Sequence, residues 1–100
     1  MPNNIQMKDN RTVAEKKAQF LDELTKCMAI KTQAARRCKI GRTMLYEYLK
    51  NDLDFALKVQ EIEEAAVDFA EGKLSEMVAM GDRAAIMFFL KAKAKDRGYH

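Results

Sequence analysis

The 100-residue chain contains few of the residues that interrupt helices and form tight turns. It has four glycines and a single proline, Pro2, so the turn clusters of a β-sandwich or β-barrel are missing. It has no glycine-rich phosphate-binding loop, which excludes a doubly wound nucleotide-binding enzyme. Its longest apolar run, 84–90, is far shorter than the roughly 20 residues of a membrane span. We therefore expect no contact with a membrane.

Metal-binding and export signals are also missing. The two cysteines, Cys27 and Cys38, are accompanied by one histidine, His100, which are too few ligands for a tetrahedral zinc site within one chain. Residues 1–10 are polar and contain no signal-peptide core. We therefore predict no metal, no cofactor and a cytoplasmic protein whose thiols stay reduced.

Apolar residues recur at three- and four-residue steps, which favours an all-α fold. Thr12 and Glu15 have the spacing of a capping box, Thr32 is placed to cap a second helix, and Gly81-Asp82 suits the end of one helix and the start of the next. The predicted helices span 12–29, 32–38, 42–50, 53–80 and 83–96.

Charge is distributed unevenly along the chain. Residues 1–50 carry eleven Lys and Arg against five Asp and Glu, whereas residues 51–82 carry nine acids against two lysines. A basic block beside an acidic block favours one surface for a polyanion and another for a different contact. The alternative is a solvated helical bundle whose basic residues only aid solubility.

The spacing of small and apolar residues in 31–50 is typical of a helix-turn-helix (HTH). Ala35 suits a close helix crossing, Ile40 fills the turn five residues later, and Leu45 gives a core contact five residues further on. With the first helix packed across the pair, this predicts a three-helix, homeodomain-like unit. Two positions depart from the pattern: Lys39 stands where a left-handed glycine is usual, and Gly41 stands where Ser or Thr usually caps the helix.

The outward face of the third helix would then meet the major groove. Arg42 suits guanine or phosphate, Thr43 and Tyr46 suit base edges or phosphate, and Glu47 suits a cytosine amino group. The neighbouring bases and the start of the second helix suit phosphates. The predicted DNA-contacting residues are Lys31, Thr32, Gln33, Arg36, Arg37, Lys39, Arg42, Thr43, Tyr46, Glu47 and Lys50.

The second half of the chain has a coiled-coil-like stripe followed by a helix that is apolar nearly all round. One partner helix cannot cover such a helix, so we expect an antiparallel hairpin that also joins copies of the chain. A five-helix core within one chain is the alternative. The predicted interface residues are Phe55, Val59, Ile62, Ala66, Phe69, Ile86, Phe88 and Phe89.

These patterns together define three segments. Residues 1–11 are polar and without periodicity, and we expect a flexible arm there. Residues 12–51 form the predicted HTH unit, and residues 52–100 form the predicted hairpin and oligomerisation segment.

The order of these features resembles the small subunit of phage terminases. In that family a T-x-AA-R-x-x-G-I-S-R-x-x-L-Y-x-W-L block precedes an acidic residue and Phe, a long acidic helix, and a G-D-x-x-A segment that opens an apolar helix. The resemblance covers roughly 30–98, with Tyr48 where Trp is common, Phe55 after the block, and GDRAA at 81–85. Matches within the block are Thr32, Ala34, Ala35, Ile40, Arg42, Leu45, Tyr46 and Leu49.

The resemblance implies a function in genome packaging. Such subunits bind the packaging-initiation site on concatemeric phage DNA, assemble into rings and deliver DNA to the large subunit, which holds the ATPase and nuclease. This chain has no Walker A loop and no clustered catalytic carboxylates, as the division of labour requires. The partners it implies are double-stranded DNA, further copies of the chain and the terminase large subunit.

Two other functions remain open on the sequence. A small transcriptional regulator or transposase-type DNA-binding domain would act as a dimer on half-sites about one helical turn apart. A protein–protein adaptor would use the basic face for an acidic partner and bind DNA negligibly. No enzymatic activity is expected in any of these cases.

Overall fold

A computed structural model describes residues 9–100 of the chain. This part contains only helices and no strand, so the all-α prediction is confirmed. Residues 1–8, most of the predicted arm, lie outside the described residues. The helices are α1 (Val13–Lys26), α2 (Lys31–Arg37), α3 (Arg42–Asn51), α4 (Leu53–Ala79) and α5 (Arg83–Lys93), followed by a 3-10 helix at Lys95–Arg97.

The chain divides into two compact units, and the division falls inside α4. The first unit ends at Glu63 and the second spans Glu64–His100. The sequence pattern placed the boundary at 51–52, about three helical turns earlier. The boundary lies later because the first turns of α4 belong to the core of the first unit.

The core of the first unit forms where α1, α2, α3 and the start of α4 contribute apolar side chains. Phe20 and Leu24 of α1 are fully buried. The ring of Phe20 lies 5.8 Å from that of Phe55, which also makes an edge contact with Tyr48 at 6.1 Å. The other buried members of this core are Ala34, Ala35, Cys38, Ile40, Leu45 and Val59.

This core corrects part of the predicted oligomer interface. Phe55 and Val59 are each only 3% exposed, so assigning them to a contact with a second chain is wrong. Ile62 is half-buried and packs against the same core. A heptad stripe marks the apolar face of a helix but does not say which chain covers it.

The turn that ends α2 explains the spacing between Ala35 and Ile40. The Ile40 amide donates to the Ala35 carbonyl at 2.9 Å, and the Lys39 amide donates to the Arg36 carbonyl at 3.2 Å. These two bonds define a Schellman motif, whose apolar contact joins the residues at the Ala35 and Ile40 positions. Both side chains are buried. Lys39 has φ 58°, so the left-handed position predicted for this lysine is confirmed.

The connection between α1 and α2 departs from the prediction. Met28 and Ala29 both have left-handed backbones, with φ 55° and 63°. Ile30 is then extended and α2 begins at Lys31, without any side-chain cap. Thr32 therefore lies inside the helix, and its predicted capping role is wrong.

Two other predicted helix ends are confirmed. Thr12 and Glu15 form a complete capping box, with the Glu15 amide donating to Thr12 Oγ1 at 3.0 Å and the Thr12 amide to Glu15 Oε1 at 2.7 Å. Gly81 is left-handed at φ 85° after α4. Asp82 then caps α5 by accepting from the Ala85 amide at 2.8 Å.

The start of α4 is fixed to α1 by an ion pair. Lys17 Nζ lies 2.6 Å from Asp52 Oδ2 and 5.0 Å from the centre of the Tyr48 ring. Asp52 Oδ1 also accepts from the Phe55 amide at 3.1 Å and so caps α4. The Lys17 ammonium, and then the Phe55 amide, lower the pKa of Asp52 below its ordinary value of 3.8.

The second unit contains the end of α4, the three-residue connection 80–82, and α5. Ala85 is the one buried hydrophobic residue within Glu64–His100. An open cleft of about 390 Å³ is lined by Leu74 and Val78 of α4 and by Phe89 of α5, with Glu71, Ser75 and Lys93 completing its walls. The large apolar side chains left exposed here are Val67, Phe69, Met77, Met80, Met87, Phe88, Phe89 and Tyr99.

Candidate nucleic-acid interface

A groove between α2 and α3 brings together cationic side chains from both helices. Its volume is about 200 Å³, and its apolar lining is the buried trio Ala35, Ile40 and Leu45. The same three residues predicted the HTH spacing, so the spacing identifies real neighbours in the structure. The polar and aromatic lining residues are Lys31, Thr32, Arg36, Arg42 and Tyr46.

The exposed face of α3 continues from this groove. Because 3.6 residues complete a turn, Arg42, Tyr46 and Lys50 lie one above another, with Thr43 and Glu47 beside them. All five side chains are exposed, whereas Leu45, which lines the groove beside Arg42 and Tyr46, is buried. The Arg42 guanidinium carbon lies 5.6 Å from the centre of the Tyr46 ring, a cation–π contact that holds two polar groups side by side.

Two bases of the predicted interface are already paired with carboxylates. Lys31 Nζ lies 3.5 Å from Glu63 Oε2, and Arg37 Nη1 lies 3.7 Å from Glu23 Oε1. Such partly exposed pairs contribute at most about 1 kcal/mol. Two of the predicted DNA-contacting cations therefore already have a carboxylate partner.

The structure brings five of the eleven predicted DNA-contacting residues into the α2–α3 groove, and the other six do not line it. Thr43, Glu47 and Lys50 are exposed on α3, and Lys39 is exposed in the turn. Gln33 is half-buried, as is Lys31. Arg37 is exposed but faces Glu23.

Sequence patterns missed Arg11, which was assigned to a flexible arm. Its Nη1 donates to the Cys38 carbonyl at 2.6 Å and to Gln19 Oε1 at 2.7 Å. Its Nη2 donates to the Lys39 carbonyl at 3.4 Å and to Asp9 Oδ2 at 2.7 Å, and its Nε donates to Asp9 Oδ1 at 3.0 Å. Residues 9–11 are therefore fastened to the α2–α3 turn.

Arg11 and Asp9 each stabilise the charged form of the other. Hydrogen bonds from the Arg11 side chain and amide hold the pKa of Asp9 well below its usual range. The Asp9 carboxylate in turn raises the pKa of Arg11. Both shifts favour the ionised forms of the pair. No local pattern marks Arg11, because its contacts with the turn cross 27 and 28 residues of sequence.

Cys38 lies beneath the same turn as an apolar group. Its thiol is buried, and burial is the main reason that its pKa is raised above the ordinary 9.0. A thiol held in its neutral form is a poor nucleophile. Over residues 9–100, no group of three or more His, Cys, Asp or Glu side chains is arranged to hold a metal ion.

The chain was compared with family models, curated proteins and solved structures. No family model, curated protein or solved structure matches the chain. Between residues 9 and 100, no helix has the length and apolar character needed to cross a membrane.

Proposed function

We propose that the chain is a non-enzymatic, sequence-selective DNA-binding protein that acts as the small subunit of a phage terminase in the cytoplasm of the host cell. The observation that carries the DNA-binding part is the α2–α3 groove. Lys31, Arg36 and Arg42 surround its apolar floor, and the exposed polar face of α3 continues from it. The terminase assignment is supported by the order of sequence motifs described above.

In this function α3 enters the major groove, which is wide enough for one α-helix. Arg42 reads guanine, and its contact with the Tyr46 ring fixes its direction. Thr43, Glu47 and Lys50 lie along the same face and contact base edges or phosphates. Arg36 and Lys39, on α2 and in the turn, contact phosphates and set the register of the protein on DNA.

The second unit supplies contacts between copies of the chain. Phe69, Phe88 and Phe89 are 56%, 61% and 43% exposed, and Ala66 and Ile86, the other predicted interface residues of this unit, are half-buried. A monomeric protein seldom leaves this many large apolar side chains together in solvent. We propose that these residues join copies of the chain into an oligomer, which delivers DNA to the terminase large subunit.

The test separates base reading from phosphate contact. A preferred duplex is first selected from random sequences with the unaltered chain. We expect Arg42→Ala to weaken binding to the selected duplex by about 10- to 100-fold, and binding to random duplex much less. Arg36→Ala is the control: it weakens both duplexes about equally and lowers the salt slope by about 1.

Affinities are measured by fluorescence anisotropy at several salt concentrations. Equal losses for Arg42→Ala on both duplexes would contradict its reading of a base. Negligible, salt-independent DNA binding by the unaltered chain would contradict the DNA-binding function itself and favour an adaptor.

A further inference from the structure

Arg11 uses every N–H donor of its guanidinium within the first unit. A guanidinium carries five such donors. Two point to the Asp9 carboxylate, one to Gln19 Oε1, and two to the carbonyls of Cys38 and Lys39. None of the five is left for a phosphate or a base. Asp9 also balances the charge of Arg11, so the pair adds little net charge to the surface.

The two carbonyls that Arg11 holds belong to the turn that orients α3. Cys38 ends α2, Lys39 is the left-handed residue, and α3 begins three residues later at Arg42. A lysine in the left-handed region is strained by on the order of 1 kcal/mol. A turn under strain needs fixed contacts to keep a single conformation. The guanidinium supplies two of them from outside the turn.

We propose that Arg11 is a positioning residue for sequence recognition, which fixes the α2–α3 turn and thereby the direction of α3 without touching DNA. This inference rests on the proposed DNA-binding function. Its consequence is specific: the loss of Arg11 disturbs base reading, which depends on sub-ångström placement. Phosphate binding through mobile lysines and arginines changes little.

The experiment compares Arg11→Ala and Arg11→Lys with the unaltered chain. Lysine keeps the charge but cannot form the planar fork that reaches Asp9 and both carbonyls. We expect both variants to bind the selected duplex about tenfold more weakly, comparable to one mismatched base pair. In Arg11→Lys, which keeps the charge beside Asp9, affinity for random duplex and the salt slope remain unchanged, since no phosphate contact is lost.

A second variant that destabilises the first unit controls for general loosening. Thr12→Ala removes the hydroxyl that accepts from the Glu15 amide in the capping box of α1, and this hydroxyl takes part in none of the hydrogen bonds of the Arg11 side chain. We expect it to lower the unfolding temperature while keeping the ratio of selected to random affinity. A salt slope reduced by about 1 in Arg11→Ala would instead make Arg11 a phosphate contact, and an unchanged affinity ratio would also overturn the proposal.

A second readout does not depend on DNA. The Ile40 amide donates to the Ala35 carbonyl across the turn, and its hydrogen exchange reports how often the turn opens. We expect exchange of this amide to accelerate about tenfold in Arg11→Ala relative to Thr12→Ala. Unchanged exchange would refute the positioning role, whereas absent DNA binding by the unaltered chain would refute the proposed function.

Discussion

Lys39 combines a strained backbone with an exposed charge. Its φ of 58° is favourable for glycine and costs other residues on the order of 1 kcal/mol. The side chain is exposed and lies next to α3. Lysine at this position therefore provides a surface cation, whereas glycine would give the more stable turn.

Substitution separates these two properties. We expect Lys39→Gly to be about 1 kcal/mol more stable than Lys39→Ala, because both remove the charge and only glycine relieves the strain. Urea unfolding followed by circular dichroism measures the difference. Equal stability of the two variants would show that the turn is not strained. Both variants should lose the same affinity for all duplexes if Lys39 contacts phosphate.

At this scale the sequence predicted the residues whose role depends on near neighbours. Lys39 was expected in a left-handed position because Ala35 and Ile40 bracket it at fixed spacing, and the structure places it there. Arg11 was not predicted, because its partners are distant in sequence and one guanidinium leaves no periodic signal.

At the scale of the helices, the start of α4 depends on the charge of one carboxylate, that of Asp52. Asp52 caps this helix and pairs with Lys17 of α1, so one carboxylate holds two elements together. Because folding lowers the pKa of Asp52, its ionisation stabilises the folded chain above the ordinary value of 3.8. That stabilisation is lost as the pH falls through the lowered pKa.

Substitution of Asp52 tests this coupling. We expect Asp52→Asn, whose amide still caps a helix, to lower stability at pH 7 and to flatten the decline of stability as the pH falls below the ordinary Asp value of 3.8. The measurement is the unfolding temperature across this range. Asp54→Asn is the matched control, since Asp54 lies on the same helix and pairs only with Lys58 among the ion pairs of the described residues. A steep acid decline retained in Asp52→Asn would contradict the assignment.

The ends of helices were predictable where the residue type at the end itself favours a cap, through a side-chain acceptor or a left-handed glycine. Thr12, Gly81 and Asp82 were all expected at the positions they occupy. Thr32 was misplaced because the start of α2 is decided by the two left-handed residues Met28 and Ala29. Neither is a glycine, so the sequence carries no signal for that turn.

For the molecule as a whole, the second unit has exposed apolar side chains that nothing within the described residues covers. One buried hydrophobic residue within Glu64–His100 is too small a core for independent stability. Our proposal that a second copy covers it gives an expected mass above that of one chain, measured by light scattering behind a sizing column, with and without duplex DNA.

We expect Phe88→Asp to weaken this self-association by about 10- to 100-fold, the effect of losing one buried aromatic side chain. Leu53→Asp is the matched control, because Leu53 is even more exposed, at 73%, and lies in the first unit. A ring-sized assembly of about eight or more chains that changes with DNA supports the terminase function. A DNA-binding dimer would favour the regulator, and a monomer with or without DNA would refute the interface.

Fold class was predictable at this scale because it follows from the scarcity of turn residues and from the helical period. The unit boundary was not, since the stripe that includes Phe55 and Phe69 looks uniform in sequence. The structure buries the first of these and exposes the second. Periodicity predicts which side of a helix is apolar. Which segment packs against that side depends on contacts between residues distant in sequence.

In the proposed complex with DNA, the pairs Lys31–Glu63 and Arg37–Glu23 affect how long the DNA stays bound. A phosphate that takes either cation leaves a carboxylate a few ångströms away, tethered to the same chain. That carboxylate competes with the phosphate for the cation, by no more than the roughly 1 kcal/mol of a partly exposed ion pair. Recapture of the cation shortens the life of any complex held only by phosphates. The lifetime of a complex that also uses the exposed face of α3 is reduced less. Selected and random DNA sites would therefore differ in how long the protein stays bound.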